Sequence, residues 1–165
     1  MLINSISNAR LKVGNFSGVT VAKEEVFLSY KNYKIEITDL PGSYSLNDYT
    51  LEEKVTKEFL DNSPYDIILN VLDSTNLERN LFLTSELLAL DKKMLIALNM
   101  SDEAHKENIQ IDAEQLSKIL GKPCVKTSAA KNMGISNLLE AIVSKFEDEK
   151  LPTKLIFSDV IEEEI

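Results

Sequence analysis

Lys34-Ile35-Glu36-Ile37-Thr38-Asp39-Leu40-Pro41-Gly42 decides how the rest of the chain reads. Tyr33, Ile35 and Ile37 alternate with Lys34, Glu36 and Thr38, the period of a half-buried strand. The run stops at an acid, a proline and a glycine. In α/β proteins ligands gather beyond the carboxyl ends of the strands, so a strand delivering a carboxylate and a Gly turn there suits a nucleotide site. A D-x-x-G so placed sets an Asp near Mg²⁺ and lets a Gly N–H reach a terminal phosphate. The same four residues also make an ordinary strand-to-turn exit. Their partners elsewhere in the chain decide between the two.

Upstream, Leu2, Ile3 and Ile6 are spaced to share one face of a short helix. Val13-Gly14-Asn15-Phe16-Ser17-Gly18-Val19-Thr20-Val21, with two glycines around an exposed-looking aromatic, reads as a mobile loop. Its Thr20 is of the kind that holds Mg²⁺ through a hydroxyl. Glu24 to Tyr30 and Tyr33 to Asp39 are β-rich runs separated by Lys31-Asn32, the gap of an antiparallel hairpin. Downstream, Thr50-Leu51-Glu52-Glu53 is a capping box opening a helix with Leu51, Val55, Phe59 and Leu60 inward, and Asn62-Ser63-Pro64 ends it. Asp66 to Asp73 is nearly continuous apolar, as in a parallel strand covered on both faces. A second capping box, Thr75-Asn76-Leu77-Glu78, starts a helix carrying Leu77, Leu81, Leu83, Leu87, Leu88 and Leu90. Lys93 to Asn99 is another buried strand. Asp112 with Gln115 caps a helix through Leu116, Ile119 and Leu120, closed by Gly121. Pro123 to Lys126 is a short last strand, and a final helix turns Leu138, Leu139, Ile142, Val143 and Phe146 inward. This alternation predicts a parallel-rich α/β sandwich with one antiparallel hairpin.

Composition narrows the function classes. The 165 residues suffice for one domain with a real core. No apolar run approaches the roughly 18 residues that span a bilayer, and there is no signal-peptide pattern. A net charge of −9 argues against a nucleic-acid surface, which needs clustered Lys and Arg. Cys124 is the only cysteine, so it forms no internal disulfide or thiolate metal site and is expected to pack as a small apolar side chain. These features fit a reducing cytoplasm.

Three strand-end loops carry chemistry. Asn99-Met100-Ser101-Asp102 follows one buried strand. A carboxylate there accepts two hydrogen bonds at once from the N1–H and N2 amino group of guanine; adenine offers no such pair and leaves the acid unpaired. Asn99 braces the loop, and Ser128 and Ala129 after the last strand offer N–H groups to the guanine carbonyl. Asp73 is read as a helix-entry residue beside Thr75, His105 as solvated surface, and Arg79 as having no acid partner that makes it an arginine finger.

The loop Val13–Val21, Asp39-Leu40-Pro41-Gly42-Ser43-Tyr44-Ser45-Leu46, Asp73-Ser74-Thr75-Asn76-Leu77-Glu78-Arg79-Asn80-Leu81 and Ala97-Leu98-Asn99-Met100-Ser101-Asp102 together resemble the N-terminal G domain of bacterial ferrous iron transport protein B, from about Leu2 to Phe146. The resemblance implies a P-loop NTPase-like three-layer sandwich of the small-GTPase type. It implies a G domain over residues 1–149, the start of a helical domain over 150–165, and a transmembrane Fe²⁺ pore in the intact inner-membrane protein. GTP or GDP and Mg²⁺ are the implied ligands, with this domain on the cytoplasmic side. Gly18, Val19, Thr20, Val21 and Ala22 correspond to switch I, with Thr20 and Asp39 as metal ligands. Asp39, Leu40, Pro41 and Gly42 head switch II. Asn99, Met100, Ser101 and Asp102 read guanine, and Thr127, Ser128, Ala129 and Ala130 form the last base-contacting loop. No side chain stands out as a general base.

One departure bears on activity. The family opens with a strand and a phosphate loop, G-x-x-x-x-G-K-[ST], and these 165 residues contain no such motif: the only Gly-Lys pair, Gly121-Lys122, precedes Pro123. The expectation is therefore a sheet without its central first strand, which closes its gap or takes a strand from another copy, and a chain that hydrolyses little or no GTP. A regulatory module that keeps the frame without hydrolysis is the alternative.

Overall fold

The structure, a computed structural model, describes residues 2–5 and 10–148. Leu2–Ser5 form a 3-10 turn with Leu2 buried. Six strands follow: β1 (Arg10–Asn15), β2 (Ala22–Tyr30), β3 (Tyr33–Asp39), β4 (Ile68–Asp73), β5 (Met94–Asn99) and β6 (Cys124–Lys126). Five α-helices lie among them: α1 (Leu51–Asn62), α2 (Leu77–Leu88), α3 (Ser101–Lys106), α4 (Ala113–Leu120) and α5 (Ile135–Glu147).

The first strand is present, which corrects the expectation of a sheet deprived of it. Arg10–Asn15 pairs antiparallel with β2, Leu11 opposite Val26 and Val13 opposite Glu24, on the outer side of the hairpin. All six of its residues are exposed. An edge strand with neither face buried shows no apolar alternation, so the two glycines dominated its reading as a loop. The argument for strand exchange between copies rested on a missing strand and falls with it.

Among the described residues the ladders form two three-stranded sheets, β1-β2-β3 and β4-β5-β6. The first is antiparallel and the second parallel. Side chains join them: Val26 and Leu28 of β2 share one core with Leu95 and Ala97 of β5 and with Ile135, Leu138 and Leu139 of α5. The second core lies on the other side of β5, where Met94, Ile96 and Leu98 meet Leu60, Leu72, Leu87 and Leu88. Met94 to Leu98 are all 0% exposed, as a strand covered on both faces requires. β4 is covered less evenly: Ile68, Asn70 and Leu72 are buried but Val71 is exposed. Asn70 satisfies its buried amide by donating to the Thr84 hydroxyl at 2.8 Å.

Local chemistry sets the helix ends. Thr50 caps α1 by accepting from the Glu53 N–H at 3.1 Å, and Asp112 caps α4 from the Gln115 N–H at 3.0 Å. The second capping box does not form. Asp73 Oδ1 takes both the N–H (2.8 Å) and the hydroxyl (2.7 Å) of Thr75, and α2 starts from Asn76 instead. Leu51 is exposed and Thr56 takes an inward place on α1. Phe146 is also exposed, edge-on to Tyr33. Burial pushes the Cys124 thiol up to about 11, as befits a packed, unreactive side chain. Residues 150–165, including the expected start of a helical domain, lie outside the described residues, as does Ile6.

Candidate functional site: a base-reading corner and an acidic strand exit

The ends of β5 and β6 are tied into one corner. The Thr127 N–H donates to the Leu98 carbonyl at 2.9 Å, and the Ser101 N–H donates to the Thr127 carbonyl at 3.1 Å. The Ser101 hydroxyl closes back on Leu98 O at 2.6 Å. Asn99 then braces the neighbouring loop, its Oδ1 accepting from the Ala129 N–H at 3.2 Å and the Thr127 hydroxyl at 3.3 Å. Met100 takes a left-handed φ of 58° and turns the chain straight into α3, a short helix absent from the sequence reading. That turn puts Asp102 in the first turn of α3.

Asp102 is the unusual group. Its side chain is 6% exposed, and Oδ2 is buried with no hydrogen-bond partner. Lys131 Nζ stands 3.7 Å from it. The Ser128 hydroxyl, the amides at the helix start and the Lys131 ammonium hold the carboxyl below the usual carboxylate range against the opposing effect of burial. The corner thus presents an ionised acid with acceptor capacity to spare, the property a two-donor base edge needs. Lys131, three residues past Ser128, is the member that sequence reasoning missed. Its signal is the Ser128-Ala129-Ala130-Lys131 run, which places a cation one turn beyond the loop.

The loop is shaped by a close approach. Thr127 and Ser128 are 0% and 1% exposed, and Ser128 pairs with Met133 through both backbone groups at 2.9 Å. Gly134 follows with φ 76°; a Cβ there meets the Lys126 carbonyl oxygen at 2.1 Å. Only glycine fits. Ser74 belongs to the same edge: its N–H donates to Asn99 O at 2.9 Å and its buried hydroxyl has no partner.

Asp39 ends β3 opposite Glu24 of β2. Partial burial raises its pKa above the usual 3.8, and the Glu24 carboxylate adds to the shift. Two acids facing across a hairpin end make a place where a cation is stabilising. Thr20 is exposed, and the loop around it is closed by the Phe16 N–H donating to Val21 O at 3.0 Å. Phe16 is buried, edge-on to Phe59 with Lys23 over its ring, so the aromatic expected to be exposed anchors the loop instead. Gly42 is exposed with open space around it. No group of three His, Cys, Asp or Glu fit to hold a metal occurs among the described residues. Asp73 is committed to Thr75, and His105 is exposed, in line with the parts expected of them.

Comparison with known proteins places the chain in a family. The family model described as ferrous iron transport protein B matches residues 1–142. The Fe(2+) transporter FeoB of Helicobacter pylori (strain ATCC 700392 / 26695) is 54% identical over 160 residues, covering 97% of this chain and 23% of that protein. That of Campylobacter jejuni is 49% identical over 162 residues, covering 98% and 26%. This chain therefore spans about a quarter of the length of these relatives. Among solved structures, the cytosolic domain of T. maritima FeoB superposes with a TM-score of 0.93 in GDP form II and 0.91 in the GMPPNP form. Each is 36% identical and covers 99% of this chain and 65% of the other. The cytosolic domain of L. pneumophila FeoB gives 0.87 at 38% identity, covering 98% and 70%. The chain belongs to the ferrous iron transport protein B family and carries its N-terminal G domain.

Proposed function

We propose that these residues form the guanine-nucleotide-binding part of a ferrous iron transporter, in which nucleotide state is coupled to Fe²⁺ uptake across the membrane. The observation that carries the nucleotide reading is Asp102: a carboxylate whose side chain is buried and whose Oδ2 has no hydrogen-bond partner, beside a loop braced by Asn99. A guanine edge supplies the two donors that complete it. The Ser128–Ala130 loop lies against the base, and Met100, 39% exposed, offers an apolar cover for its face. The transport assignment rests on family membership. The helical and membrane-spanning parts belong to the longer relatives, and no helix among the described residues is long and apolar enough to cross a membrane. Residues 1–149 act on this reading as the G domain, with 150–165 leading toward a helical domain.

On the phosphate side, Gly18 to Ala22 and Asp39 to Gly42 take the switch roles. Mg²⁺, when bound, would supply charge neutralisation at the phosphates. Asp39 and the Thr20 hydroxyl would hold it, as one carboxylate and one hydroxyl, since Mg²⁺ is commonly held by few protein ligands plus phosphates. A cation beside Asp39 would offset the burial and the Glu24 charge that raise its pKa. The Gly42 N–H is the donor for a third phosphate.

No G-x-x-x-x-G-K-[ST] occurs in the sequence, so base recognition outweighs phosphate grip in these 165 residues, and they hydrolyse little or no GTP. Titration of a fluorescent GDP analogue, competed with unlabelled guanine and adenine nucleotides, tests the reading. Displacement by GDP at least a hundredfold better than by ADP is expected; equal displacement refutes base recognition by this corner.

A further inference from the structure

The segment after Gly42 is held between two helices, and its hold on α2 has a use that base recognition does not explain. Tyr44 is 60% exposed, yet its ring lies on the Arg79 guanidinium, 4.1 Å from centroid to Cζ. Two residues on, the Leu46 N–H donates to Glu86 Oε2 at 2.8 Å, a charge-assisted bond. The Leu46 side chain packs against the same core as Leu77, Leu81 and Leu83. Arg79 and Glu86 are seven residues apart, two turns along one face of α2. On the α1 side, the Thr56 hydroxyl donates to Pro41 O at 3.3 Å and the Ser45 hydroxyl to Glu53 Oε1 at 3.2 Å. Beside Gly42 the space is open: a Cβ there meets nothing within 4 Å. The chain is therefore fastened on both sides of the glycine, to α1 at Pro41 and Ser45 and to α2 at Tyr44 and Leu46.

We infer that Glu86 and Arg79 are positioning residues: they clamp Tyr44–Leu46 to α2 and so fix the pose from which the Gly42 N–H meets a terminal phosphate. This rests on the reading that Gly42 faces the phosphates. Because Tyr44 and Leu46 are anchored on α2 and not on the sheet, a displacement begun at Gly42 is delivered to α2 as well as to α1, which makes α2 an element that answers to the nucleotide's third phosphate.

Hydrogen exchange read by mass spectrometry on the whole 165-residue chain tests the clamp without nucleotide. Glu86→Ala is expected to speed exchange in the peptide containing residues 43–49 about tenfold, the worth of one charge-assisted bond. Glu86→Gln keeps an acceptor oxygen and returns exchange to within about threefold of the wild type. Arg79→Ala, at an exposed position, speeds it about three- to fivefold. The amides of β5 stay unchanged in all three. Unaltered exchange in both alanine variants, or a Gln variant indistinguishable from Ala, overturns the clamp; should Glu86→Ala unfold the chain, Arg79→Ala decides alone. A second arm compares a non-hydrolysable GTP analogue with GDP in Mg²⁺. The clamp variants are expected to lose severalfold in the affinity ratio with GDP binding unchanged, and an unchanged ratio overturns the positioning role. A wild type that does not distinguish the two nucleotides refutes the phosphate reading of Gly42, while the exchange arm still judges the clamp.

Discussion

The loop corner at the ends of β5 and β6 and the exit from β3 face similar tasks with opposite construction. At the first, Leu98, Thr127 and Ser128 are fully or almost fully buried, and backbone and side-chain bonds tie the two strand ends together. At the second, Thr20 and Gly42 are exposed, and Asp39 meets another acid. A reader of a flat, invariant base edge gains from being rigid before the ligand arrives. An element that must answer to the presence of one more phosphate has to keep two arrangements close in energy. On the proposed function, the difference in burial between the two corners is a difference in task.

Paired glycines give the largest contrast. Gly134→Ala drives a Cβ onto the Lys126 carbonyl at a left-handed φ, and we expect a loss of about 3 kcal/mol or more in urea unfolding. Gly42→Ala meets nothing within 4 Å, and unfolding should change by less than about 0.5 kcal/mol while GTP-analogue binding weakens. Equal effects on stability erase the distinction between the corners. Next comes Asn99→Ala, which leaves the Ala129 N–H and the Thr127 hydroxyl without their acceptor. Stability should fall by about 2–3 kcal/mol by the same assay, and GDP affinity should fall with it.

The smallest effect concerns pH. Asp39 has a folded pKa above its ordinary value of 3.8, so the folded state holds its proton more tightly than the unfolded state. The associated stability is fully present below pH 3.8 and is lost as pH rises through the folded value. At pH 7 the carboxylate is therefore a cost to the cation-free chain. Asp39→Asn should raise Tm by about 1–2 °C there, with the advantage vanishing at low pH and on addition of Mg²⁺ and nucleotide. Differential scanning calorimetry at pH 7 and near pH 4 measures it; a lower Tm for the variant at pH 7 reverses the sign of the argument.

Much of this was legible in the sequence because it followed from one-dimensional rules. Continuous apolar runs marked β4 and β5, the two-residue gap marked the β2–β3 hairpin, and Thr50 and Asp112 announced their helices. The place of Asn99 and Asp102 at the exit of β5 was readable because the buried run before them ends there. What escaped depended on partners distant in sequence. β1 is held by ladder bonds to β2 and buries none of its residues, so periodicity was silent. Phe16 is buried because Phe59, 43 positions away, supplies its neighbour. The box at Thr75 lost to Asp73, which offered a nearer acceptor. Lys131 became part of the corner only when the loop after β6 folded back over Asp102. The clamp on Tyr44–Leu46 was invisible for the same reason: Arg79 and Glu86 acquire a purpose only in three dimensions.

The central claim is that Asp102 reads guanine through its two donors, and Asp102→Asn tests it most directly. An amide in that place keeps one acceptor and gains a donor, so it suits xanthine, whose C2 carbonyl replaces the amino group. We predict that the variant binds GDP at least tenfold more weakly than the wild type and xanthosine diphosphate more tightly than GDP, with its fold unchanged by circular dichroism. A variant that binds GDP as the wild type does, with no gain for the xanthine nucleotide, would contradict the account.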